Sequence, residues 1–337
     1  MFSSRPLAYT LPMMGYAVEW SPFDESKLAV SCSQNFGIIG QGQQLLLSHT
    51  HGVVSQLAAI TSSDGIFDCT FSEQHVDHIA FASGDGSVRL WDSKTNRVLR
   101  EWREHKAEVY SVDWNLVTKE HIISGAWDNT IKLYHPTHPA SLTTYAGHTK
   151  CIYATVWNAR QADVFASASG DGTVRVWSTN ERAAVQTIQA HSYEVLSVDW
   201  NKYSDSLLVS ASTDKSIRGW DVRRSTSPLW TLEGHQFAVR RVKCNPHSAD
   251  VLASVSYDMS VMAWDSSEPE DSVLCRRDEH TEFVIGCDWN VFSEGLLATC
   301  GWDEQLLVYR IDTHAHKMRR RGVGRRSGLT QEAKSVT

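Results

Sequence analysis

The sequence predicts an all-β chain closed into a ring, a seven-bladed β-propeller. Three observations carry the prediction: a repeat of 43 to 45 residues, four strand-sized apolar runs per copy, and a systematic surplus of tryptophan. An Asp ahead of a short apolar run recurs at Asp85, Asp128, Asp171, Asp214, Asp258 and Asp303, at spacings of 43, 43, 43, 44 and 45 residues. A His precedes five of these by 23 residues, at His105, His148, His191, His235 and His280. Six residues after the Asp stands an aromatic (Trp91, Tyr134, Trp177, Trp220, Trp264 or Tyr309), and nine after the His stands an anchor (Trp114, Trp157, Trp200, Cys244 or Trp289). Offsets that hold along a whole chain mean one structural unit copied.

Two weaker copies come first. Ser62 stands where the His belongs, with Phe71 as its anchor, and ahead of it Trp20 and Gln34 keep the anchor-to-Asp spacing of 14, so the units number seven. The first is longer by eight residues, a surplus assigned to the Gly-rich turn 35–42. Within a unit, runs such as Val109 to Trp114, His121 to Ser124, Ile131 to Tyr134 and Ser141 to Tyr145 are separated by turn residues, which reads as four strands. That length, with a Gly-His to Trp-Asp signature, is the WD-repeat pattern, in which blades unable to bury both faces alone pack around a channel. The inner strands then need small or apolar residues on both faces, as 166–169 (Ala-Ser-Ala-Ser) and 209–212 (Val-Ser-Ala-Ser) supply. The last recognisable strand, 306–311, lacks an outer partner, whereas 5–11 precedes the first blade. An N-terminal strand is therefore expected to complete the last blade and close the ring, which removes exposed edges. The expected division is a propeller over 1–312 and a basic, disordered tail over 313–337.

The net charge of −7 is an average: residues 313–337 hold seven Lys or Arg and one Glu, which leaves −13 on residues 1–312. An acidic body excludes a nucleic-acid binder, which needs a positive field, and favours a cationic peptide or protein partner. There is no run of 18 apolar residues and no charged start followed by an apolar stretch, so neither a transmembrane segment nor a secretory signal is expected. Seven Cys without C-x-x-C spacing read as reduced thiols in strands. Of the 13 Trp, nine are repeat positions, Trp102 and Trp230 fall in outer strands, and Trp127 and Trp302 remain.

The recurring polar residues look like a hydrolase triad multiplied: His148, Ser167, Asp171 and Trp177, then His191, Ser210, Asp214 and Trp220, then His235, Ser254, Asp258 and Trp264. A catalytic constellation occurs once in a chain, so these are expected to be satisfied scaffold networks in which the hydroxyl, imidazole and indole pair with a buried Asp. Copies with Tyr134 or Tyr309 for Trp, or Phe81 for the hydroxyl, should be incomplete. No non-repeated acid, base or metal cluster is found, so no enzyme, cofactor or metal site is expected. The Gly-rich 37–42 lacks Lys-Ser or Lys-Thr, and the His pairs 49/51, 75/78, 135/138 and 314/316 read as loop residues.

Function in a propeller lies on what does not repeat. Three and five positions after the His site stand Met14/Tyr16, Gly65/Phe67, Glu108/Tyr110, Cys151/Tyr153, Glu194/Leu196, Ala238/Arg240 and Phe283/Ile285. Just before the Asp stand Ser33, Gly84, Trp127, Gly170, Thr213, Tyr257 and Trp302. Both sets are expected at one end of the channel, where large aromatics act as interface anchors. With Glu108, Glu194 and Asp64 beside them, they describe a groove for an amphipathic helix carrying a basic residue.

Several segments resemble one family. Gly-Tyr-Ala-Val-Glu-Trp-Ser-Pro-Phe (15–23), Asn-Phe-Gly (35–37), Asp-Gly-Ile-Phe-Asp (64–68), Glu-Val-Tyr-Ser-Val-Asp-Trp (108–114), Arg-Arg-Val-Lys (240–243) and Trp-Asp-Glu (302–304) are similar to the receptors for the type-2 peroxisomal targeting signal, the peroxin-seven family. The resemblance spans residues 1 to about 312 and includes the insertion in the first blade. It implies a non-enzymatic receptor for a short N-terminal helix (basic, aliphatic, five residues, His or Gln, aliphatic) on peroxisomal matrix proteins. It also implies a co-receptor, docking machinery reached through that co-receptor, and shuttling between cytosol and the peroxisome or a specialised relative of it. The resemblance assigns Asp64, Glu108 and Glu194 to the basic position. Phe67, Tyr110, Trp127, Tyr153, Leu196, Arg240, Tyr257, Phe283 and Trp302 complete the signal-binding set, and Phe36 and Ile38 in the insertion are the candidate co-receptor contacts, with Phe36 and Phe283 each open to the co-receptor or the signal. The rival is a general WD-repeat scaffold, such as a chromatin or ubiquitin-ligase adaptor.

Overall fold

The structure, a computed structural model, describes residues 5–314. Twenty-eight strands form seven four-stranded antiparallel sheets, six of them built from consecutive strands. The seventh takes its outer strand, Leu7–Thr10, from the N-terminus, paired with Gln305–Arg310. The N-terminal strand thus completes the last blade. Blades are numbered 1 to 7 from Met14.

Each blade grades from a core strand to a surface strand. The inner strand of blade 5, Val195–Trp200, is buried at all six positions, so it alternates apolar with small or paired polar residues. The outer strand of blade 2, Arg97–Arg103, buries only Trp102. Core clusters form between neighbouring blades: Ala166, Val174 and Val176 of blade 4 pack on Val195, Trp200 and Leu208 of blade 5. Each interface is a sheet-on-sheet contact that no single blade can make, so the ring must close to bury the last one.

Polar stitches accompany the packing. Where an acid precedes the anchor, its carboxylate accepts the backbone N–H of the next blade's anchor: Glu19 from Phe71 at 2.8 Å, Asp113 from Trp157 at 2.6 Å and Asp199 from Cys244 at 2.8 Å. The ring closes with the same bond, Asp288 accepting from Trp20 at 2.9 Å. The Asn after the anchor donates to a carbonyl of the following blade, as Asn115 to Ala162 at 2.8 Å and Asn290 to Glu25 at 2.9 Å.

Three sequence expectations need correction. Against blade 2, where Ala82 pairs with Val88 while Ser31 here pairs with Gln44, the first-blade turn takes seven of the eight surplus residues, and the remaining one falls between Gly42 and Ser62. The blade 2 network is rewired: Arg89 and Arg103 each meet Asp85 at 2.6 Å, and Arg89 also donates to Ser62 at 3.0 Å, so two guanidiniums take the place of the His. His49 is no loop residue; it sits in a strand, edge-on to Trp20. Thr313 is buried and donates to Glu294 at 3.0 Å, while His314 pairs with the same carboxylate at 2.9 Å. The tail expectation otherwise lies outside the described residues. All seven Cys are free thiols, five of them buried, with Cys151 and Cys275 half-buried.

The repeated polar residues form hydrogen-bonded chains through the blades. In blade 4, Trp177 Nε1 donates to Ser167 Oγ at 2.8 Å, Ser167 lies 2.7 Å from His148 Nε2, and His148 Nδ1 lies 2.9 Å from Asp171. Blade 5 repeats this through Trp220, Ser210, His191 and Asp214, and blade 6 through Trp264, Ser254, His235 and Asp258. Burial pulls the Asp171 carboxyl up, but hydrogen bonds from His148 and Thr173 outweigh it and hold it well below the usual carboxylate range. In blade 3 the Tyr134 hydroxyl is 3.4 Å from Ser124, and in blade 7 the Tyr309 hydroxyl makes no well-formed bond.

Candidate functional site

Every inner strand carries the same irregularity. Its ladder with the second strand slips at Gly15/Ala17, Ile66/Asp68, Val109/Ser111, Ile152/Ala154, Val195/Ser197, Val239/Arg241 and Val284/Gly286. A bulge leaves one residue unpaired and re-aims its side chain. The residues between those pairs are Tyr16, Phe67, Tyr110, Tyr153, Leu196, Arg240 and Ile285, the set that the sequence places five positions after the His site. Residues from distant blades consequently meet: Tyr16, Phe67 and Ile285 form one cluster with Tyr110, Tyr257, Phe283 and Trp302.

The meeting produces a continuous arc of rings. Tyr153, Trp127, Tyr110, Phe67, Tyr16, Trp302, Phe283 and Tyr257 follow one another with centroids 4.6 to 6.1 Å apart. Three of them stand just before the Asp and four are bulge residues of blades 1 to 4, so the two sets meet at one end of the channel. Offset-stacked and edge-to-face pairs at these distances hold each other's orientation. Phe67 and Leu196 lie beneath the surface at 2 % and 4 % exposure, so they back the arc and do not present a face to a ligand. Tyr110, Trp127, Tyr153, Tyr257, Phe283 and Trp302 are half-buried, each with an open edge.

Carboxylates fill space left by small residues. Gly170 leaves room for Glu194, whose Oε1 would stand 3.2 Å from a Cβ there, and Gly84 does the same for Asp64 at 2.8 Å. Burial raises the Cys151 thiol, and the carboxylates of Glu194 and Glu108 raise it further, which places both acids around the entrance to blade 4. Burial and then Glu194 likewise raise the Tyr153 phenol. Neither Glu108 nor Glu194 has a side-chain hydrogen bond or ion pair among the described residues. Asp64 differs, because its Oδ1 accepts the N–H of Gly65 at 2.7 Å.

The insertion reaches the same end. Asn35, Phe36 and Gly37 all have positive φ, at 47°, 57° and 68°. Gln34, in the place of the signature Asp, closes the loop by accepting the Gln41 N–H at 3.0 Å. Phe36 meets Trp302 edge-on at 5.2 Å, while Ile38 and Ile39 are 83 % and 71 % exposed. Sequence reasoning missed two exposed aromatics on neighbouring loops, Tyr193 and Phe237. Their signal was present, since each stands two residues after a repeat His.

A closed ring of seven four-stranded blades, held by repeated His-Asp-hydroxyl networks and opening on an aromatic arc, defines a WD-repeat propeller. The chain belongs to the family described as WD domain, G-beta repeat, which matches residues 42–92, 96–135, 139–178, 182–221 and 226–265. Within that class it is similar to the Peroxisomal targeting signal 2 receptor of Dictyostelium discoideum, 47% identical over 109 residues, 32% of this chain and 34% of that protein. The receptor of the same name from Mus musculus is 42% identical over 102 residues, 30% of this chain and 32% of the other. Peroxisome biogenesis protein 7 of Arabidopsis thaliana is 43% identical over 112 residues, 32% and 35% of the two chains. The matched stretch spans about a third of the length of each of these relatives.

Proposed function

We propose that this chain is a non-enzymatic import receptor that binds the helical type-2 signal of peroxisomal matrix proteins across the aromatic arc. The observation that carries the reading is the pairing of that arc with two unpaired, half-buried carboxylates, Glu108 and Glu194. A helix carrying one basic residue beside an apolar face matches both features, since the rings take the apolar face and the carboxylates the cation. The similarity to proteins named as receptors for this signal favours it over a general scaffold. Phe36 and Ile38 are assigned to a co-receptor: a strained, exposed aromatic is not retained for the stability of its own loop. Through that co-receptor the chain would reach the docking machinery and shuttle between cytosol and organelle.

The test is fluorescence anisotropy with a synthetic type-2 signal peptide and the full chain. Glu108→Lys and Glu194→Lys are each expected to weaken binding at least tenfold, because each replaces an attraction by a repulsion in a partly desolvated site. Unchanged affinity in both variants sinks the reading. Equal capture of a peptide lacking its basic and His positions points instead to a general adaptor.

A further inference from the structure

The channel has a second mouth, at the end away from the aromatic arc. The residues just before the blade anchors, from Glu19 of blade 1 to Asp288 of blade 7, all line a cavity of about 130 Å³ there. The residues two after the anchors rim it, and four of them, Pro22, Leu116, Pro246 and Val291, are apolar. Leu116 and Val291 are exposed, as are Phe23, Val117 and Phe292, the next residues along the same loops. Large apolar side chains gathered in the open mark a contact surface.

Inside this collar the charge is out of balance, with five carboxylates and two ammoniums on the cavity wall. Lys202 pairs with Asp199 at 2.8 Å, Lys243 stands 3.9 Å from Asp288, and Glu73 meets Lys119 at 3.9 Å. Glu19 and Asp113 have no ion pair among the described residues. Each uses one oxygen to accept a backbone N–H of the next blade, Glu19 from Phe71 and Asp113 from Trp157. Trp20 and Trp157 also line the cavity, and their indole N–H groups lack an acceptor, whereas those of Trp114 and Trp289 donate to carbonyls at 2.8 and 3.1 Å. The mouth is short of a cation and of acceptors, and a peptide carries both. The cavity holds about four waters, the bulk of one long side chain and not of a helix.

The geometry points to a second docking site at this mouth, for a partner segment that sends one Lys or Arg side chain toward Glu19 and Asp113 and lays apolar neighbours on the collar. Charge complementarity selects that occupant, because an apolar segment without a cation would cover two unpaired carboxylates. The inference does not rest on the reading of the arc as a peptide site, since the two ends share no residue. The propeller is then a two-ended adaptor, able to hold one partner at each mouth.

The experiment uses the full chain and a coumarin-labelled peptide with blocked ends, Gly-Val-Leu-Lys-Leu-Val-Gly, beside a version with norleucine in place of Lys. Anisotropy is read at pH 8, because burial raises the Asp113 carboxyl to about 7 and a cation needs it ionised. The wild-type chain is expected to bind the Lys version roughly 10- to 150-fold more tightly, the worth of a charge-assisted contact. Asp113→Asn is expected to remove most of that ratio, and Leu116→Ser with Val291→Ser to weaken both versions about fivefold. Equal affinity for the two versions, or a ratio unchanged in Asp113→Asn, overturns the inference. An excess of unlabelled type-2 signal peptide is expected to displace nothing; displacement places the probe on the arc and overturns it as well. Binding that appears only after Lys317, Arg319, Arg320 and Arg321 are changed to Gln gives the mouth to the chain's own basic segment. A dimer seen by light scattering and lost in the collar variant gives it to a second copy, and either result overturns the inference.

Discussion

Replacing Ser167 by Ala removes one oxygen that serves two buried partners. Asp171 can only accept, so His148 Nδ1, 2.9 Å away, carries the proton; its Nε2 therefore accepts from the Ser167 hydroxyl at 2.7 Å. The same oxygen accepts the Trp177 indole N–H at 2.8 Å. Without it one donor and one acceptor are left buried and unpaired, at about 1–3 kcal/mol each, so Ser167→Ala should destabilise by about 2–6 kcal/mol. Blade 3 supplies an internal control. There the Tyr134 hydroxyl is 3.4 Å from Ser124, beyond a good O–H···O length, so Ser124→Ala strands chiefly His105 and should cost about 1–3 kcal/mol. Urea unfolding measures both, followed by tryptophan fluorescence and by circular dichroism, because repeat architectures can unfold in more than one step. Equal losses in the two variants, or losses below about 0.5 kcal/mol in both, would refute the network as the source of blade stability.

Two further predictions concern the channel and the insertion. Burial pushes the Asp113 carboxyl up from 3.8 to about 7. A raised folded value means that its contribution is fully present below the unfolded value and lost as pH rises toward 7. Asp113→Asn keeps an acceptor for the Trp157 N–H, so the variant should gain on wild type from pH 4 to 7 and level off at an advantage of about 1–2 kcal/mol, a figure discounted because Asp113 is only half-buried. Thermal midpoints across that range that run parallel for the two proteins contradict this. Phe36→Gly relieves a left-handed non-glycine residue and loses one edge-on ring contact, effects of about 1 kcal/mol each and opposite sign, so stability should move by less than about 1 kcal/mol. A loss above about 2 kcal/mol would make the ring a structural anchor and remove the case for an external partner.

The scaffold was readable because it repeats. Constant offsets of Asp171 from His148, or of Trp177 from Asp171, expose positions that serve the same purpose in every blade, and even ring closure follows from one unpaired strand at each end. The repeated Asp-Trp and Trp-Asn pairs, as at 113–115 and 288–290, were equally visible as letters, yet their role between blades was not. The partner of each lies in the next blade, and periodicity along one chain does not reveal which backbone atom faces it.

The candidate site divides the same way. Its membership was legible, since Trp127, Tyr257 and Trp302 break the small-residue rule of their turn, and Glu108 and Glu194 are acids at a variable position. Its depth was not: Phe67 and Leu196 occupy the same repeat position as Tyr110 and Tyr153 but lie under the arc. Sequence by itself determined the number of blades, the manner of closure and the end of the channel that carries the variable residues, because each follows from period and offset. Only the tertiary structure decided which of those residues present an edge and which acids lack a counter-ion. Those properties depend on what seven separate strands bring together at one axis, where a bulge in each turns a side chain toward neighbours that are remote in the sequence.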